Sequence, residues 1–305
     1  MDRELAASIA IIMAGLLIAG YTTLTTLPTR TSAEKSKGLL IVVTFPNLVY
    51  DVKQLVCESD QVVSLVPPGV DPHTYTLSLA DVEKAEKADI VISTGHAPFE
   101  IRLREYISPE KLIEIPRIPG IRIENIIGTS SPNLHMPIYD PHNYIVFIKF
   151  VAERLAKLRP QCKQHYLTSA RIVENKVAEI IESSPRLEVS GVGSTPLTQY
   201  AVGWLGIRLR ALMLVSPEAG ITAQSYERLK TLMASHSISV AVATSLSMNG
   251  CKPAGKADEK VLTLANTYHV PVICVPAPFT AAPIPDKLEH IALQAKKLYP
   301  LMVSR

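Results

Sequence analysis

Little in this 305-residue chain is concentrated. Its four cysteines, Cys57, Cys162, Cys251 and Cys274, lie far apart with no C-x-x-C spacing, which removes zinc ribbons and dithiol redox motifs from consideration. Buried free thiols are the default reading for them, and a Cys251–Cys274 disulfide is open to a protein outside the cytoplasm. Charge of either sign is sparse: 31 Lys and Arg against 28 Asp and Glu leave a net charge of +3. With no basic cluster and no basic stretch interleaved with aromatics, nucleic acid is not a partner. There is no low-complexity tract, no nucleophile elbow, no G-x-G-x-x-G and no Walker loop. The run Gly191-Val192-Gly193-Ser194-Thr195 therefore reads as a tight turn after a strand. Ser194, Ser245 and Ser247 have no His/Asp arrangement that marks a nucleophile, so the chain reads as a non-enzyme.

Apolar residues are abundant, at 47% of the chain, and the N-terminus explains part of that. Residues 6–24, with Ile9, Ile11, Ile12, Leu16, Leu17 and Ile18, form a run of about 19 residues, the length that spans a bilayer. A polar Thr/Ser/Lys linker follows. This segment reads as a long signal peptide or an uncleaved membrane anchor, and the body behind it as extracytoplasmic, membrane-anchored or secreted. Met1-Asp2-Arg3-Glu4 carries little positive charge, flanking charge is too weak to set an orientation, and no cysteine offers a lipid attachment site.

From Gly38 the pattern alternates. Residues 39–45 are an unbroken apolar run, suited to a strand buried on both faces. Pro46-Asn47 then opens a helix whose Leu48, Val49, Val52, Leu55 and Val56 recur at helical spacing. Residues 61–66, 89–94 and 111–115 read as further strands with helices between them. Residues 141–184 break the alternation with helical spacing alone, and Pro160 divides them into a shorter helix and one of about 22 residues, roughly 33 Å long. Beyond, strands are expected at 187–192, 208–215, 237–243 and 270–275, and helices at 196–204, 223–235, 257–268 and 284–298. The fold class is α/β: two lobes, each a mainly parallel sheet flanked by helices, joined by one long linker helix. The boundaries read as 1–37 for the anchor or signal segment plus linker, 38–140 for the N-terminal lobe, 141–185 for the linker-helix region and 186–305 for the C-terminal lobe.

Four histidines fall in loops. His73 lies in Gly69-Val70-Asp71-Pro72-His73-Thr74-Tyr75, after the second strand and before a helix that Ser78 caps, with Asp81 as its capping-box acid. His96, in Thr94-Gly95-His96-Ala97-Pro98-Phe99-Glu100, follows the third strand. His135 and His142 sit between the last strand of the first lobe and the helical region. A lone loop histidine is ordinarily a hydrogen-bonding surface residue. Two at the carboxyl ends of parallel strands share one sheet edge, where α/β proteins bind ligands, and neutral imidazole is a preferred ligand of zinc. Glu100 and Glu105 read as a solvated helix face beside His96, with Glu100 placed to orient a ligand from behind.

The order from Gly69-Val70-Asp71-Pro72-His73-x-Tyr75 through Ser78 to Asp81, Ala88-Asp89-Ile90-Val91-Ile92 and Gly95 to Glu100 resembles the metal-binding components of zinc and manganese ABC importers, the cluster A-I solute-binding proteins. The resemblance covers nearly all the chain after the N-terminal segment and is closest over residues 61–100. It implies a cleft between lobes that holds Zn²⁺ or Mn²⁺, a rigid linker helix, delivery to an ABC permease subunit, and a monomer. His73 matches the family's first ligand. His135 is similar to the second, which usually stands three residues before Asp-Pro; here four intervene before Asp140-Pro141, and His142 competes for the role. The third position falls on Thr195, and the fourth near Pro276-Ala277-Pro278, where no acid is present. The implied site is N-lobe dominated, with His73, His96 and His135 completed by water, Thr195 or a C-lobe carbonyl, and Asp140 nearby. Neutral histidines favour Zn²⁺ over Mn²⁺. The His/Asp-rich loop of some zinc-specific members is missing, since residues 118–132 are short and mostly uncharged. Two rivals stand: the same fold with a decayed or repurposed metal site, and a chelatase-like two-lobe enzyme, which the N-terminal segment disfavours.

Overall fold

The apolar run after Gly38 becomes β1 (Leu40–Val43), the centre of the first sheet in the computed structural model, which describes residues 37–67, 70, 75–216 and 220–303. The apolar run 6–24 and His73 lie outside the described residues. β1 pairs in parallel with β2 (Gln61–Ser64) on one side and β3 (Ile90–Ser93) on the other. β4 (Leu112–Glu114) extends the sheet beyond β3, giving the order β2-β1-β3-β4. The second sheet repeats the plan with β5 (Val189–Gly193), β6 (Ile207–Leu212), β7 (Val240–Ser245) and β8 (Val272–Pro276), in the order β6-β5-β7-β8 and again all parallel.

Helices fill the crossovers: α1 (Pro46–Lys53), α2 (Leu79–Lys87) and α3 (Pro98–Leu103) in the first lobe. The connecting pair is α4 (Pro141–Leu158) and α5 (Lys163–Ser183), and the second lobe carries α6 (Leu197–Gly203), α7 (Ala223–Ala234), α8 (Lys256–Thr267) and α9 (Ile284–Val303). Successive side chains of a strand point to opposite faces, so Ile41 and Val43 enter one core while Val42 enters another with Ala85, Ala88 and Leu103. The Ser78 cap forms as read: Asp81 N–H donates to Ser78 Oγ at 3.2 Å, and Ser78 N–H donates back to Asp81 Oδ2 at 3.0 Å. Among the described residues no helix is long and apolar enough to cross a membrane.

Pro160 breaks the helical region as its missing N–H requires, inside a 3₁₀ turn at Pro160–Cys162. The halves, of 18 and 21 residues, pack antiparallel, with Lys149 Nζ 3.1 Å from Glu174 Oε1 between their middles. The elbow is fastened to the first lobe. Asp60 accepts from Arg159 at 2.8 Å and from the Tyr166 hydroxyl at 2.6 Å, as well as from the backbone N–H of Leu39 and Cys57.

The free-thiol reading of the cysteines is corrected here. Cys57 is bonded to Cys162 across that elbow, and Cys251 to Cys274, leaving no free cysteine. The first bond joins residues 105 apart in sequence, a proximity made by tertiary packing that no local spacing reports.

A single apolar core runs from Ile41 and Val43 through α4, α5 and α9 to Val240 and Val242 of the second sheet. Inside it lies a polar junction. Asp51 on α1 accepts from Ile284 N–H at the start of α9 at 2.7 Å and from the Tyr144 hydroxyl of α4 at 2.9 Å. Its other oxygen has no hydrogen-bond partner among the described residues, and burial raises its pKa to about 6 against the opposing pull of Ile284 N–H and Lys287. Lys287 is fully buried beside it, and burial lowers its pKa to about 8.

Two outcomes follow from this packing. Because the Asp51 pKa is higher folded than unfolded, the native state holds the extra proton, and this group's contribution to stability falls as pH rises from about 4 to about 6. Denaturant melts across that range should show a flatter pH dependence in Asp51→Asn. Removing the long-range disulfide in a Cys57→Ser/Cys162→Ser variant should lower the unfolding free energy by about 2–4 kcal/mol, read as a shift in the denaturation midpoint.

Candidate metal centre

In each sheet the chain reverses its direction of winding between two central strands, β1 and β3 in one, β5 and β7 in the other. Crevices form at the carboxyl ends of such strands. Phe45 follows β1, His96 follows β3 and Thr195 follows β5, while Thr244 lies one residue before the end of β7, and all four line one cleft of about 330 Å³ between the two sheets.

His96 is built from the turn after β3. Gly95 has φ 77°, a left-handed conformation, and turns the chain back toward the sheet edge. Beneath the turn lies Glu100, 1% exposed, so the solvated-face reading of this residue is corrected; Glu105 is exposed as read. Glu100 accepts from six donors: the hydroxyls of Thr44, Ser93 and Thr94 and the backbone N–H of Thr94, His96 and Ala97. The Thr94 hydroxyl has one proton and stands 2.6 Å from Glu100 Oε2 and 3.1 Å from His96 Nδ1. Given to the carboxylate, the stronger acceptor, that proton leaves the hydroxyl oxygen to accept from Nδ1–H. His96 Nε2 then carries the lone pair, the state that binds a metal. On its other side His96 stacks on Phe45, with ring centroids 6.3 Å apart and planes 20° from parallel.

His135 reaches the same place from a loop pinned at several points. Asn133 Oδ1 accepts from His135 N–H at 3.1 Å, and Asn133 Nδ2 donates to the Pro196 carbonyl of the second lobe at 2.9 Å. Met136, with φ 51°, and the 3₁₀ turn Pro137–Tyr139 take up the four-residue spacer before Asp140. The His96 and His135 ring centroids are 5.1 Å apart. Two imidazoles on one tetrahedral zinc, each nitrogen about 2.0–2.1 Å from it, place their ring centres roughly 5 Å apart.

The structure thus brings His96, His135 and Thr195 to one cleft. Asp140 and His142 are not brought to it. Asp140 spends its carboxylate as the N-cap of α4, accepting from His142 N–H and Asn143 N–H, and His142 stands exposed on the first turn. Among the described residues no group of three or more His, Cys, Asp or Glu side chains gathers to hold a metal. At the fourth position, Lys287 Nζ donates to the carbonyls of Ala277 and Pro278, both at 3.0 Å, and the Tyr139 hydroxyl donates to that of Pro276 at 2.7 Å. A buried ammonium thus holds two of the three carbonyls of this loop, and a tyrosine hydroxyl the third.

Sequence reasoning missed Asn47, Met136, Leu214 and Phe279, which also line the cleft. The available signal was position: Asn47 lies just past β1 and Phe279 just past β8, both at carboxyl ends. Replacing Glu100 by Gln puts an amide N–H among six donors and should cost about 1–3 kcal/mol of stability, measurable by chemical denaturation.

Residues 41–256 match the family described as zinc-uptake complex component A, periplasmic. The manganese ABC transporter substrate-binding lipoprotein PsaA of Streptococcus pneumoniae is 24% identical over 166 residues, 49% of this chain and 52% of that protein. The zinc-binding protein TroA of Treponema pallidum is 28% identical over 135 residues, 40% of this chain and 41% of that protein. The chain spans about half the length of the curated relatives it matches. Among solved structures, a Mn-bound periplasmic metal binding protein from Candidatus Liberibacter asiaticus superposes with a TM-score of 0.64 at 18% identity, covering 87% of this chain and 99% of that one. The SBP FpvC of Pseudomonas aeruginosa, in complex with Mn²⁺, does so with 0.67 at 15%, covering 86% and 99%. At such identities the structures speak for the fold, and the match over residues 41–256 for descent. The chain belongs to the family of the periplasmic zinc-uptake component A, the cluster A-I metal-binding solute-binding proteins of ABC importers.

Proposed function

We propose that this protein is an extracytoplasmic receptor that captures a divalent metal ion in the cleft between its sheets and delivers it to an ABC permease. The observation that carries this reading is the His96–His135 pair, 5.1 Å apart between ring centres, at a sheet edge whose turn is braced by a buried carboxylate. His73 is the proposed third ligand, from the loop most similar to the family's first ligand position. The relatives are named for manganese in one case and zinc in another; three neutral imidazoles favour zinc, since manganese prefers oxygen donors. Two disulfides suit an oxidising compartment, and residues 6–24 are the proposed anchor or signal. The role requires no bond chemistry, only capture and docking of the lobes on the transporter.

A second reading has its own observation. At the two positions where the family places C-lobe ligands, this chain offers Thr195 and a loop whose carbonyls Lys287 already holds. That favours a repurposed site.

Chelator competition on the metal-stripped full chain, followed by elemental analysis, separates the two. One zinc per chain is expected, with His73→Ala, His96→Ala and His135→Ala each weakening it by more than about tenfold, or about 1.4 kcal/mol. His142→Ala should leave affinity unchanged. Zinc affinity that survives all three changes, or no binding above the micromolar range, would sink the metal-capture reading.

A further inference from the structure

The cleft is larger and more apolar than a bare ion needs. Its volume of about 330 Å³ falls within the range of pockets for organic ligands, roughly 300–1,000 Å³. Phe45, Met136, Leu197, Leu214, Pro278 and Phe279 are among its apolar lining, and among the described lining residues none is acidic. The C-lobe side is backed by the buried ammonium of Lys287, bonded to the carbonyls of two lining residues, Ala277 and Pro278. A dication on the two imidazoles alone would keep its full charge, and no described lining residue supplies a carboxylate to offset it.

Asn47 adds an independent sign. It lines the cleft at 2% exposure, and its Nδ2 has no hydrogen-bond partner among the described residues. An amide N–H cannot bind a metal cation. It calls for an acceptor oxygen, and a buried donor left without one costs about 1–3 kcal/mol.

We propose that the cleft takes its metal as a complex with a small anionic chelator that has an apolar body. The imidazoles of His96 and His135 bind the metal's open positions, the chelator's oxygens neutralise it and accept from Asn47 Nδ2, and its apolar face packs on Leu214 and Phe279. This rests on the metal-capture reading and names the form in which the ion arrives.

The test is calorimetric titration of the metal-stripped full chain in lipid nanodiscs. The titrants are Zn²⁺ alone and its one-to-one complexes with picolinate, dipicolinate and 8-hydroxyquinolinate; each chelator is also titrated alone. At least one complex should bind more than about tenfold tighter than the ion. Phe279→Ala and Asn47→Ala should each weaken that complex severalfold and leave the affinity for Zn²⁺ alone unchanged, while His96→Ala weakens both. If the ion binds as tightly as every complex and Phe279→Ala and Asn47→Ala are silent, the chelate inference is overturned and metal capture stands. If neither ion nor complex binds, metal capture itself fails. A chelator that binds equally well without metal would also overturn the inference, making the cleft a site for an organic anion.

Discussion

The carboxylate of Asp51 holds the two halves of this molecule together. It stands on the first helix of one lobe, accepts the leading N–H of the last helix of the other, and is met by Tyr144 from the connecting pair. Lys287, one turn into that last helix, carries the link on to the loop after β8, whose carbonyls it holds. The far wall of the cleft is therefore positioned by residues rooted in the near lobe. Burying two opposite charges is expensive, and well-packed apolar residues often serve stability as well. What the polar set adds is direction: hydrogen bonds fix angles that apolar contact leaves loose. The same apolar core continues from the first sheet through the connecting helices to the second, so the junction sits inside packed structure that both lobes share.

Much of this was legible in the sequence. The apolar runs gave the buried strands, because a strand covered on both faces has no polar side to show, and Pro160 and the Ser78-x-x-Asp81 pair marked an elbow and a helix start by local chemistry alone. The junction was hidden for the opposite reason. Asp51 reads as an ordinary acid on an amphipathic helix and Lys287 as an ordinary base on another; nothing local says that those helices meet. Glu100 was misplaced on a solvated face because its six donors come from two strand ends and a turn that only the fold assembles.

The candidate site divides along the same line. His96, His135 and Thr195 could be found because topology, not contact, puts the carboxyl ends of parallel strands at one edge. His142 was indistinguishable from His135 until the cap at Asp140 turned it onto the outer face of the helix. Phe45, Leu214 and Phe279 look like core residues in any sequence, and their exposure to a cavity is a property of the space between lobes. The chain of Glu100, Thr94 and His96 is a further case: three side chains within seven residues whose joint effect, choosing which imidazole nitrogen keeps its lone pair, depends on which way one hydroxyl proton points.

The long-range disulfide carries a consequence for how the chain is made. Synthesis runs from the N-terminus, so Cys57 and Cys162 emerge before Cys251 and Cys274. Four cysteines admit wrong pairings as well as the native one, yet each native partner is the next cysteine in line. Order of appearance alone favours the correct bonds. All four strands of the first sheet precede Cys162 in sequence, so the bond at the elbow ties the connecting helices back onto a sheet whose strands all come earlier in the chain.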